Sequence, residues 1–178
     1  FEGGWSGEMS REVFERGHAV AVLPYDPKRD QVVLIEQFRP GAYAALASEW
    51  FDDEASPWLV ECVAGIIEQG ENPDDVARRE MIEETGLEAV DLTKVFHYLV
   101  SPGGSSESVF LYCARVDAAD AGGVYGMTEE HENIRVFSVS AEEAFALMDQ
   151  GRIFNSMTII ALQWLKANRD RVRAEWHA

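Results

Sequence analysis

The chain has 178 residues, enough for one generous domain with a substantial core. Its 47% hydrophobic and 26% charged content is that of a folded globular protein. Thirty-two acidic against fifteen basic residues leave a formal charge of -17, which argues against a nucleic-acid binder, and no apolar run approaches the ~18 residues of a membrane span.

In chain order, residues 10–17 read as a strand leading into a second, apolar strand over 18–25. A turn at Asp26-Pro27-Lys28-Arg29-Asp30 returns the chain into QVVLIEQF at 31–38. Residues 40–57 mix Gly, Ala, Ser and acidic residues without a period and are expected to be a loop, and 58–64 a short buried strand. The helix that follows is well delimited. Asn72 suits the N-cap, Pro73 the first helical position, Asp74 and Asp75 the positive end of the dipole, and Gly86 the left-handed stop. Beyond it, 90–100 and 108–116 are predicted strands joined by the Ser/Gly-rich loop 101–106. A strand over 134–138 and helices near 141–150 and 156–169 complete the chain. Strands before, between and after helices predict an α/β/α sandwich around a mixed sheet, with a small N-terminal β segment at 1–17 and the main domain at 18–178.

Cys62 and Cys113 lie in apolar stretches without metal-ligand spacing and read as buried core residues in a reducing compartment. No signal peptide is visible, so the cytoplasm is the expected location. The chain begins at Phe1 rather than Met, and residues upstream are expected.

The chemistry concentrates in GIIEQGENPDDVARREMIEETGL, residues 65–87. Glu80 and Glu84 are four apart and share one helical face, with Glu83 beside them. Like charges at that spacing destabilise a helix, so the cluster asks for cations. One or two carboxylates plus substrate phosphates are the usual Mg²⁺ arrangement, and two or more ions could bridge a pyrophosphate and activate a water. Such ions would also offset the repulsion between an acidic protein and a phosphate-bearing substrate. Arg79 lies four before Glu83 and is expected to pair with it, making Glu83 a supporting carboxylate. Gly65 is expected to let the backbone bend where strand meets loop, bringing the Ala64 carbonyl toward the metal.

These residues fit the spacing G-x5-E-x7-R-E-U-x-E-E-x-G-U, with U apolar, through Gly65, Glu71, Arg79, Glu80, Met81, Glu83, Glu84, Gly86 and Leu87. The chain thereby resembles the Nudix hydrolases. The stretches DPKRDQVVLIEQFR, YLVSPGGSSE, ENIRV and NSMTIIALQWL are similar to bacterial ADP-ribose pyrophosphatases, as is Pro102, fifteen residues after Leu87. The resemblance implies metal ligation by the Ala64 carbonyl, Glu80, Glu84 and Glu132, with Mg²⁺ as the cofactor, Mn²⁺ as an alternative, and two or more ions per site. It puts the general base at Glu130, with Glu129 and Glu132 as close alternatives, since carboxylates holding a cation have lost basicity. It points to substrate contacts from Arg11, Glu12, Arg16, Arg39, Ile66, Ser101 and Glu107, and to supporting roles for Gly65, Glu71, Arg79 and Glu83. The implied reaction is hydrolysis of ADP-ribose to AMP and ribose 5-phosphate by a homodimer whose N-terminal segments complete each other's sites. Other nucleoside diphosphate sugars such as GDP-mannose, or a non-catalytic ADP-ribose-sensing module, are the alternatives. The stretch EWFDDEAS between Arg39 and Trp58 makes that loop longer than the resemblance implies.

Overall fold

The computed structural model describes residues 3–51, 54–127 and 131–177. Two apolar runs separated by a polar turn make the first hairpin, β1 (His18–Asp26) and β2 (Gln31–Phe38). Asp26 builds the turn: its Oδ1 accepts from the N–H groups of Lys28 (2.9 Å) and Arg29 (3.0 Å).

The hairpin pairs only at its closed end, through Tyr25↔Val32 and Asp26↔Gln31, and then forks. β3 (Trp58–Glu61) pairs with β2 in one arm of the fork, and β4 (Val63–Ile67) with β1 in the other. The single strand expected over 58–64 is therefore two strands. The break falls at Cys62, whose N–H donates to the Thr158 hydroxyl (2.9 Å) instead of to a neighbouring strand.

The remaining strands are β5 (Asp91–Leu99), β6 (Ser108–Arg115), β7 (Gly122–Tyr125) and β8 (Ile134–Ser140). The order β5-β6-β1-β2-β8-β7 contains one parallel pair, β1 with β6, so the sheet is mixed as expected. β1 is buried on both faces and alternates between two cores. Ala19, Ala21, Leu23 and Tyr25 share one core with Ala144, Phe145, Leu162 and Leu165 of α3 (Ala141–Asp149) and α4 (Ser156–His177). Val20 and Val22 share the other with Val76, Ala77 and Met81 of α2 (Pro73–Thr85). These three layers are the predicted sandwich.

Both ends of α2 form as read. The Asn72 side chain accepts from the Asp74 N–H (2.9 Å), and Gly86, at φ 69°, donates to the Ile82 carbonyl (2.9 Å). A Cβ at Gly86 would lie 2.7 Å from the Tyr125 ring, so β7 packs directly against the helix end.

Three further expectations are corrected. Residues 40–57 contain a short helix, α1 (Pro40–Ala45), started by Pro40 at its first position. β7 was not anticipated, because two of the four residues in GGVY are glycines, which are depleted in strands, and no short hairpin signal links it to its partner β8. The strand expected over 10–17 is reduced to an isolated bridge, Phe14 with Ser105, and the segment is exposed. No helix among the described residues is long and apolar enough to cross a membrane.

Candidate active site

The fork places β4 beside α2, and the acidic motif is built on that contact. Gly65 lies inside β4 rather than at its end, and its φ is not in the left-handed region. The reading of Gly65 as a bend is therefore corrected: the glycine is there for space. A Cβ at this position would fall 2.0 Å from Glu80 Cδ and 2.1 Å from its Oε1, so the Glu80 carboxylate occupies the volume of the missing side chain. One residue back, the Ala64 N–H donates to Glu84 Oε2 (3.1 Å). Adjacent strand residues thus meet carboxylates one helical turn apart.

The two glutamates differ in environment. Glu84 lies on the buried face of α2 with Met81 and is 3% exposed. Burial pushes its carboxyl up to about 8; the Ala64 N–H and Arg39 oppose that rise, and the charges of Glu80 and Glu132 add to it. Glu80, Glu132 and Arg39 therefore each lie within electrostatic reach of Glu84. Glu132 comes from the loop after β7. Its Oε2 accepts from the Met127 N–H (3.0 Å), and its own N–H donates to the Met127 carbonyl (3.2 Å). Gly126, at φ 106°, makes this clasp feasible, since a Cβ there would meet Glu132 Cβ at 2.6 Å.

Arg79 braces the outer side. It pairs with Glu83 (3.0 Å) as anticipated, and also with Glu80 (2.9 Å) and, more distantly, Glu71 (3.7 Å). Glu71 Oε2 also accepts from the Glu68 N–H (2.8 Å), closing the loop ahead of the helix. Among the described residues no three His, Cys, Asp or Glu side chains already converge as a cation cage. A divalent cation nevertheless fits the donor set, since Mg²⁺ is usually held by one or two carboxylates with substrate phosphates and water. A desolvated carboxyl beside two further carboxylates is a place where positive charge is favoured.

Of the anticipated substrate residues, Arg39 follows β2 and donates its Nε to Glu61 Oε2 (2.7 Å). Glu61, buried on β3, is the group that sequence reading missed; a lone acid in the apolar run WLVECV was the available signal. Ile66 is half exposed on β4. Arg16 pairs with the mostly buried Glu107 (3.2 Å). Ser101 turns the loop through its carbonyl, which accepts from Gly104 (3.1 Å) and Ser105 (2.9 Å). Arg11 and Glu12 are not brought to this group: Arg11 donates to the adjacent Ser10 carbonyl, and both side chains are exposed. Glu129 and Glu130 lie outside the described residues.

The chain matches the NUDIX domain over residues 15–156. It belongs to the Nudix family. This Nudix chain is 48% identical over 176 residues to the ADP-ribose pyrophosphatase of Escherichia coli (strain K12), covering 99% of the chain and 80% of that relative. It is 43% identical to the ADP-ribose pyrophosphatase of Haemophilus influenzae, covering 99% of the chain and 79% of the relative. To the GDP-mannose pyrophosphatase of Cronobacter sakazakii it is 36% identical over 156 residues, 88% of the chain and 77% of the relative.

Two predictions follow from this geometry. Gly65→Ala should displace Glu80 and lower turnover by about 100-fold, while unfolding free energy, read by urea titration, falls by only roughly 1–3 kcal/mol. Loss of the fold instead would assign Gly65 to folding rather than to the site. The second concerns pH. Because the Glu84 pKa is raised from 4.5 to about 8, the folded chain retains a proton across that window which the unfolded chain has lost. In chelator, stability should therefore fall as pH rises through the window, and Glu84→Gln should flatten the slope. Urea titrations at stepped pH measure it.

Proposed function

We propose that this protein hydrolyses the pyrophosphate linkage of ADP-ribose, yielding AMP and ribose 5-phosphate, with divalent cations held at Glu80, Glu84, Glu132 and the Ala64 carbonyl. The observation that carries the substrate is the likeness to ADP-ribose pyrophosphatases over 99% of the chain, at 48% identity. The GDP-mannose pyrophosphatases match less of it and at lower identity. The packing of Glu80 and Glu84 on β4 supports the chemistry and counts against a sensing module that has lost catalysis.

A divalent cation, Mg²⁺ or Mn²⁺ and two or more per site, would supply Lewis acidity and neutralise charge developing on the diphosphate. The residues of the chain do the rest. Glu80 and Glu84 are held against the strand, which limits the reorganisation these two side chains need when the site fills. Arg79 keeps the Glu80 and Glu83 side chains in place, and Arg39 presents a planar cation to phosphate oxygens. Glu130 takes the proton as a water oxygen attacks one phosphorus and the bridging P–O bond breaks. It is a carboxylate of the loop assigned no cation, as is its neighbour Glu129, and so retains its basicity. Ser101, Ile66, Glu107 and Arg16 line the substrate side.

The reading extends to assembly. Trp5, Met9, Val13 and Phe14 stand exposed on the N-terminal segment, an apolar set that a second copy would cover. A homodimer built this way would bring Arg11 and Glu12 to the partner's substrate. Free, buried Cys62 and Cys113 fit a reducing compartment, the cytoplasm.

Assayed with Mg²⁺, the protein should hydrolyse ADP-ribose at least about ten-fold better in kcat/KM than GDP-mannose. Glu80→Gln, Glu84→Gln and Glu130→Gln should each cost on the order of 100-fold or more in kcat. A preference for the GDP-sugar would move the substrate assignment, and full activity of the Glu80 and Glu84 variants in chelator would end the metal reading. Sedimentation equilibrium at micromolar concentration should give the mass of two chains, and a single-chain mass would rule out the dimer.

A further inference from the structure

Arg39 is tethered more tightly than a surface arginine. Its N–H donates to the Pro57 carbonyl (2.9 Å), and its carbonyl accepts from the Tyr43 N–H (3.0 Å), so the backbone is pinned between β2, β3 and α1. Its Nε donates to Glu61 Oε2 at 2.7 Å, and the Glu61 side chain is only 5% exposed. Among the described residues the two terminal amino groups of Arg39 have no hydrogen-bond partner.

Glu61 sits in register opposite Ile35 on a short strand flanked by the core residues Leu59, Cys62 and Val63. An apolar side chain would pack as well there, and buried ion pairs seldom add net stability over such a replacement. The pair therefore calls for an explanation other than packing. A guanidinium held through Nε is restrained by that bond while its two terminal amino groups, the fork that recognises two phosphate oxygens, are left open. The Arg39 charge also acts on Glu84, which puts the guanidinium within electrostatic reach of the acidic group.

We infer that Glu61 is a positioning residue for the reaction: it grips Arg39 by Nε and so orients the two free amino groups toward the substrate diphosphate. Glu61 contacts no substrate itself and is no cation ligand; it acts through Arg39. The inference rests on the diphosphate substrate proposed above.

The test compares wild type, Glu61→Gln, Arg39→Ala and the double variant in two assays, ADP-ribose kinetics and calorimetric binding of inorganic pyrophosphate with Mg²⁺. Each single change should raise KM and weaken pyrophosphate binding on the order of ten-fold. The kcat of Glu61→Gln should stay within a few-fold of wild type, as expected for lost uniform binding. The double variant should be no worse than Arg39→Ala, because the two residues act as one unit. The Mg²⁺ concentration for half-activation should not move in Glu61→Gln, a readout that loss of a cation ligand would shift. A wild-type KM in Glu61→Gln, or losses that multiply in the double variant, would overturn the inference.

If Glu61→Gln does not fold, Arg39→Lys decides instead. Lysine keeps the charge but cannot hold Glu61 through one nitrogen while leaving a fork, so wild-type pyrophosphate affinity in that variant would overturn the inference. A wild type that ignores ADP-ribose yet binds pyrophosphate would sink the substrate assignment alone, and the pyrophosphate series would still judge Glu61.

Discussion

The closeness of α2 to β4 sets the position of every other group in the acidic site. That approach is possible because residue 65 has no side chain: the Glu80 carboxylate fills the space where a Cβ would stand. At the far end of the helix Gly86 plays a comparable part, with the Tyr125 ring where its own Cβ would be. One glycine seats the helix on the central sheet, and the other seats it on β7. Since β7 leads directly to Gly126 and Met127, which clasps Glu132, the same helix helps to position Glu132.

Charge is handled locally. A molecule with a formal charge of -17 has a surplus of carboxylates to hold its arginines, and it uses them in that way. Arg79 is shared among three glutamates, Arg16 is held by Glu107, and Arg39 is held through one nitrogen by Glu61. Each cation is thus oriented before any anion arrives, which lowers the entropic cost of ordering long side chains on binding. The glutamates of α2, with Glu84 the most deeply buried, make a place where positive charge is favoured.

The helix α2 was legible because its signals are local: an N-cap, a proline, acids in the first turn and a terminal glycine all lie within fourteen residues or so of one another. The acidic face followed from its period. The reason for Gly65 was not legible, since a close approach depends on a partner fifteen residues away and only the fold supplies it. The break at Cys62 escaped for the same cause: WLVECVAG reads as one strand until Thr158, distant in sequence, takes the Cys62 N–H. β7 was hidden by its two glycines, and Glu61 by its surroundings, which look like plain core. The segment before Gly17 failed as a strand because this chain offers it little to pair with beyond Ser105.

The extra length between Arg39 and Trp58 takes on a different meaning beside the pairing that encloses it. Phe38 and Trp58 are directly opposed in the sheet, and the Arg39 N–H is bonded to the Pro57 carbonyl, so the excursion leaves and re-enters the framework at a single clasp. Doubling a flexible loop between fixed ends costs only about 0.6 kcal/mol in closure entropy. Arg39 forms the clasp itself and Glu61 lies on β3 beyond it, so both belong to the framework that the excursion leaves and rejoins. The surface between them can therefore be lengthened, shortened or exchanged as a cassette, while the ion pair between Arg39 and Glu61 keeps its place on the sheet.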